Sequence, residues 1–204
     1  HKSHFHFVKA SYPWHEYSRI LPLGLPDCIS EISPGIMITV FNYRINQLLG
    51  TDGLVTFTVL MYIYNLVLMV MVGTSQGTQP LVSYYYGRDD KKAVSTLHKY
   101  ARVLVTGAGV LLFLIVEIFA PNITASFISK DTTNYFNTIA ALRQFSFVFL
   151  IMGHVVITSG YMVALEEPRK AFVLSISRGI IFVLFSLFVC TTLFKENGIW
   201  ISCT

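Results

Sequence analysis

Glu31, Arg143 and His154 stand inside long apolar runs of the chain. A charge in hydrocarbon is costly, so such side chains face a protein interior or a watery cavity and mark ion or substrate pathways. A carboxylate there suits reversible uptake of a proton or a cation, because low dielectric disfavours its bare charged form. Glu31 is the acidic residue deep within a segment, while Asp27 and Glu117 lie near segment ends. It begins a series, Glu31, Gly35, Thr39, Asn42 and Asn46, whose spacing of three and four places all five on one helical face. Arg143, His154, Thr158 and Tyr161 form a second such series. Arg143 can partner Glu31, bind an anionic group or snorkel to an interface. His154 can titrate or serve as a hydrogen-bonded packing residue.

A third polar group lies at Gly73 to Gly87, GTSQGTQPLVSYYYG, on the tail of an apolar run. Unpaired glutamines cost several kcal/mol in hydrocarbon, so Gln76 and Gln79 should face protein or water. Gln76 and Ser83 share a face with Asn65. Gly73, Gly77 and Pro80 would permit close packing and a bend.

The elements that must position these residues follow from composition. The chain of 204 residues is 53% hydrophobic and 13% charged, against about 25% charged in a soluble domain. Its apolar residues fall in blocks of the ~20 needed to span a bilayer. This predicts an all-α integral membrane protein with transmembrane helices near 23–49, 54–86, 103–120, 135–165 and 171–193, and the start of a sixth at 198. Pro22 and Pro26 sit at the start of the first, where a missing N–H costs least. The second would be about 50 Å long, against a hydrocarbon core of roughly 30 Å, so it must tilt, bend or project. Gly107-Ala108-Gly109 lets helices approach closely, and Pro121 is expected to end the third segment.

The net charge of +4 does not indicate nucleic acid, because the basic residues lie in short loops between apolar blocks. Eleven Lys/Arg fall in the N-terminal stretch, 88–102 and 166–178, against Lys130 and Lys195 on the opposite side. The positive-inside rule then places the N-terminus in the cytoplasm. The arginine and lysines of 88–102 read as a basic loop, a cytoplasmic anchor or a headgroup contact. Cys28, Cys190 and Cys203 are scattered, indicating neither a disulfide framework nor a zinc site. Asn122-Ile123-Thr124 is a formal sequon of a kind frequent by chance. His1 to Arg19 lacks the apolar core of a signal peptide, and both chain ends read as cuts through something longer.

Three stretches resemble the multidrug and toxic compound extrusion (MATE) transporters: GLPDCISEISPGIMITVFN (Gly24–Asn42), the QGxQP-containing Gly73–Gly87, and SGYMVALEEPRKA (Ser159–Ala171). They are similar to the start of that family's seventh helix, the end of its eighth and the join of its tenth and eleventh. The resemblance implies a two-lobe, twelve-helix transporter of which residues 21–204 are the C-terminal lobe and 1–20 the inter-lobe linker. It implies a missing six-helix N-terminal lobe, a plasma-membrane location and no cofactor. It also implies export of organic cations or toxic metabolites by antiport against sodium ions or protons. Glu31, Thr39, Asn42, Arg143, His154 and Tyr161 are then cavity or coupling candidates. Gly73, Gln76, Gly77, Gln79, Pro80, Tyr84 and Gly87 are motif residues for packing and hinging. The chain departs from the pattern in one respect. Glu31 stands about a turn earlier than the family's helix-seven glutamate, and the tenth-helix segment has no carboxylate, which puts a sodium site of that type in this lobe in doubt.

Two other functions compete. A lipid-linked oligosaccharide flippase shares the two-lobe plan, but it needs several cations to hold a pyrophosphate. A non-transporting remnant would tolerate apolar residues along the polar stripes. An enzyme is not indicated, since the sequence offers no nucleophile–base pairing, metal cluster or phosphate loop.

Overall fold

The computed structural model describes residues 14–177, 181–187 and 189, and these are helical apart from short connections. Helix α1 (Trp14–Gly87) is broken at Gly50 into arms 14–49 and 51–87. Helix α2 (Lys91–Ala125) follows, then α3 (Thr133–Ser146), α4 (Val148–Ala164) and α5 (Pro168–Ile176), with further helix at 182–187. The fold is the all-helical one expected. The sixth segment, from residue 198, lies outside the described residues, as does most of the 1–20 stretch.

Gly50 adopts φ 64 and ψ −153, a conformation open to glycine because it has no Cβ. The chain reverses there, and Phe41 of the first arm stacks on Phe57 of the second at 5.6 Å between ring centroids. The reversal is pinned from α3. The Asn134 amide donates to the Asp52 carbonyl at 2.8 Å, and Thr56 donates to Asn134 Oδ1 at 3.1 Å. Thr56 also lies 2.8 Å from the Thr138 hydroxyl, and both threonines are buried. In a lipid-facing bundle such satisfied polar contacts hold helices together where the hydrophobic effect cannot.

Several boundaries differ from those read in the sequence. The helix of the first arm includes residues 14–20, part of the stretch read as linker. Pro80 does not break its arm, since the non-helical backbone of α1 is confined to Gly50. Pro121 lies inside α2, which runs on to Ala125, and its carbonyl accepts from the Tyr135 hydroxyl at 3.0 Å. The basic "loop" 88–102 is mostly helix. The turn spans only 88–90, and the Asp90 carboxylate caps α2 by accepting from the Ala93 N–H at 3.0 Å. The segment expected at 135–165 is two helices, bent by 42° between Ser146 and Val148. No proline or glycine stands at the bend. The Ser146 hydroxyl instead lies 2.7 Å from the Arg143 carbonyl and 3.0 Å from Glu117 Oε1, and such back-bonding loosens a helix.

The main core gathers Leu60, Val67 and Met71 of the second arm with Val105 and Val116 of α2, Leu142 and Phe145 of α3, and Phe149 and Ile157 of α4. A separate cluster, Met37, Phe41, Ile45, Phe57 and Leu187, holds the first arm. The stretch Glu31–Gly87 of α1 and helix α2 are each long and apolar enough to cross a membrane, and the bent α3–α4 pair passes the same test as one span.

Candidate functional site

On the first arm the spacing of the apolar residues decides which way the polar stripe looks. Ser33, Met37, Phe41 and Ile45 recur every four residues and are buried against the lobe. Glu31, Gly35, Thr39 and Asn46 are exposed, and Asn42 is half-buried. The stripe therefore faces away from the lobe's own core. The Thr39 hydroxyl donates back to the Gly35 carbonyl at 2.9 Å, which leaves its oxygen able to accept.

The second series disperses. The bend at Phe147 takes Arg143 away from the residues of α4, and each side chain has its own neighbour. Arg143 does not pair with Glu31; its Nε lies 3.7 Å from Glu117 Oε2 on α2. That Glu117 also receives Ser146 makes it the centre of a small polar cluster at the bend. His154 is half-buried, with Nε2 3.2 Å from the Thr106 hydroxyl of α2. Tyr161 packs on His98, with 4.1 Å between ring centroids. In the sequence Glu117 stands near a segment end and is set aside for that reason, and His98 carries no distinguishing pattern. The available signal was that Glu117 is the one acid in the third apolar run and Arg143 the one cation early in the fourth.

Two of the three distinctive stretches come together. Ser75 donates to the Val156 carbonyl at 3.5 Å and Ser83 to the Ala164 carbonyl at 3.3 Å, joining Gly73–Gly87 to α4. A Cβ on Gly160 would lie 2.9 Å from Gln79 Nε2 and would overlap Ser75 Oγ, so any side chain there would have to displace both of these polar groups. The stretch itself divides by face. Ser75, Gln79 and Val82 turn inward, whereas Gly73, Gln76, Gly77, Pro80, Tyr84 and Gly87 are exposed. Added Cβ atoms at Gly73, Gly77 or Gly87 would meet nothing within 4 Å.

Behind Gln79, a crevice lined by Thr78, Val82, Leu97, His98, Ile157 and Tyr161 encloses about 10 Å³. That is room for one water-sized molecule, whereas a drug-sized ligand needs roughly 300–1,000 Å³. Among the described residues no cluster of His, Cys, Asp or Glu is placed to hold a metal ion. What the lobe offers is an outward polar face, a bent helix with an ion pair at its joint, and a tightly packed motif junction.

That architecture recurs in solved structures. A MATE transporter in complex with MaL6 superposes with a TM-score of 0.87 at 21% identity, over 95% of this chain and 44% of that one. An outward-facing multidrug resistance MATE family transporter of the MOP superfamily gives 0.87 at 21% identity, over 97% and 45%. A MOP superfamily transporter from Pyrococcus furiosus, whose binding pocket is described as reversed in polarity, gives 0.84 at 23% identity, over 94% and 44%. The chain thus spans less than half the length of these relatives. No curated protein matches it significantly. The family model MatE matches residues 26–192, from the first arm's polar stripe through the motif junction and beyond α5, and the chain accordingly belongs to the MatE family of transporters.

Proposed function

We propose that this chain is one lobe of a secondary active antiporter that exports organic cations or toxic metabolites against a sodium or proton gradient. The supporting observation is the first arm's division into a buried apolar face and an exposed face carrying Glu31, Thr39 and Asn46. A polar face turned away from its own lobe, within a membrane, needs a watery cavity or a second lobe opposite it. Alternating access requires such a face, because the coupling group must meet one side of the membrane and then the other as two lobes rock. In this reading Glu31 takes up the coupling ion, and Thr39, Asn42 and Asn46 add neutral acceptors along the same wall. A flippase for a pyrophosphate-linked lipid is less well supported, because Arg143 is already engaged by Glu117.

The test is ion-driven efflux of a fluorescent organic cation by a two-lobe protein containing this chain, reconstituted in vesicles. Glu31→Gln should lower the efflux rate at least tenfold while leaving the amount of folded protein unchanged. Efflux that proceeds at the parent rate removes Glu31 from the mechanism.

A further inference from the structure

We infer that the first three turns of α2 form a binding surface for the headgroups of anionic phospholipids. The 35 residues of α2 make a rod of about 52 Å, so roughly 20 Å of it projects beyond a ~30 Å hydrocarbon core. The exposed face shows where the hydrocarbon stops. Val103, Leu104, Leu111, Leu114 and Ile118 are large, apolar and exposed. Before them, Lys92, Lys99 and Arg102 are exposed on the same helix. At 100° per residue these three lie within an arc of roughly 80°, and Lys99 and Arg102 are neighbours one turn apart. The opposite face, with Val94, Ala101 and Val105, is buried in the lobe. The cationic stripe is therefore held outward, with Arg102 and Lys99 about 2 and 6 Å past Val103, level with the headgroups, and Lys92 about 16 Å past it, on the aqueous side of them.

Neighbouring side chains sharpen the match. Tyr100 is 68% exposed, as an interfacial aromatic should be. Across the turn, the Arg88 guanidinium lies 5.6 Å from the centre of the Tyr84 ring and donates to its hydroxyl at 3.1 Å. Three of the acids at this end are engaged elsewhere, while Glu166 of the α4–α5 turn is exposed. Asp89 pairs with Lys91 at 3.8 Å, Asp90 caps the helix, and Glu167 pairs with Lys170 at 2.8 Å. Lys99 and Arg102 face the headgroup layer with Lys92 above them on the same exposed stripe, and an anionic lipid surface attracts such residues by about fivefold in affinity each.

The purified chain would be titrated in detergent with short-chain phosphatidylglycerol and, separately, phosphatidylcholine, and bound lipid counted by native mass spectrometry. The expected result is a phosphatidylglycerol preference of at least tenfold that weakens as salt rises. A Lys92→Gln/Lys99→Gln/Arg102→Gln variant of unchanged helicity should lose it, and a Lys92→Arg/Lys99→Arg/Arg102→Lys variant should keep it. Equal binding of the two lipids, or a preference that survives the triple glutamine change, would overturn the inference. Displacement of the lipid by millimolar inorganic phosphate would also overturn it, by assigning the site to a free anion.

Discussion

Arg143, Glu117 and Ser146 tie α2 to the joint between α3 and α4, and all three are polar groups in apolar helices. The Arg143–Glu117 separation of 3.7 Å is a loose ion pair, with the arginine side chain 49% and the glutamate 29% exposed. In water such a pair would contribute little. Here the alternative partner is lipid rather than water, so polar contacts between helices should be worth about 0.6–1.7 kcal/mol. A double-mutant cycle with Arg143→Met and Glu117→Gln, followed by detergent-induced unfolding, should return a coupling energy in that range. A coupling below about 0.3 kcal/mol, the ordinary error of additivity, would mean that the pair does not form. The sequence showed Arg143 as a polar residue needing a partner and offered Glu31 as a candidate. It could not identify Glu117, because the choice depends on how α2 packs against a bend that no local residue announces. The Glu31 stripe was legible for the opposite reason. Its orientation depends only on the period of one helix, and the buried series Ser33, Met37, Phe41, Ile45 fills the other face.

Helix packing in this lobe depends on particular glycines, and their positions separate packing from propensity. Gly107, Ala108 and Gly109 read in the sequence as one small-residue contact. In the structure a Cβ at Gly109 would stand 2.5 Å from the Phe149 carbonyl oxygen of α4, whereas at Gly107 it would meet nothing within 4 Å. Gly109→Ala must push α2 and α4 apart at a backbone atom that cannot rotate away, which should cost about 1–3 kcal/mol. Gly107→Ala removes a flexible residue from an open helical face and should be neutral or stabilising by up to about 1 kcal/mol. Melting of the two variants in detergent, followed by loss of the monodisperse peak, checks the pair. Equal destabilisation would show that α2 and α4 do not cross as described. Gly153, whose added Cβ would lie 2.9 Å from both Met71 Sδ and Val105 Cβ, extends the same crossing. Period and composition announced that these helices pack; only the crossing angle decides which of two glycines two residues apart does the packing. The same limit explains the break at Phe147 and the length of α2. The break goes with the bonds of Ser146 to the Arg143 carbonyl and to Glu117, and the early start of α2 with the Asp90 cap on Ala93, rather than with proline or glycine.

At the scale of the whole molecule, the lobe packs well within itself and, among the described residues, leaves a polar face of its first arm uncovered. The core joins the second arm to α2, α3 and α4, while the first arm leans on Phe57 and Leu187 and shows Glu31, Thr39 and Asn46 outward. Solved relatives of the same fold are more than twice as long, with this chain covering 44% or 45% of them. A single lobe has one wall of a cavity, and the crevice it encloses at the motif junction, about 10 Å³, is far below the size of an organic cation. Transport by alternating access needs two walls that exchange which side of the membrane they open to. The 204-residue chain alone, inserted in vesicles and checked for insertion by protease protection, should therefore show no efflux of a cationic dye above protein-free vesicles under either a sodium or a proton gradient. Joining it to a six-helix lobe of the same family should restore gradient-dependent efflux. Gradient-driven efflux by the chain alone would mean that one lobe, or two copies of it, completes the cavity, and the two-lobe reading of the polar face would have to be abandoned.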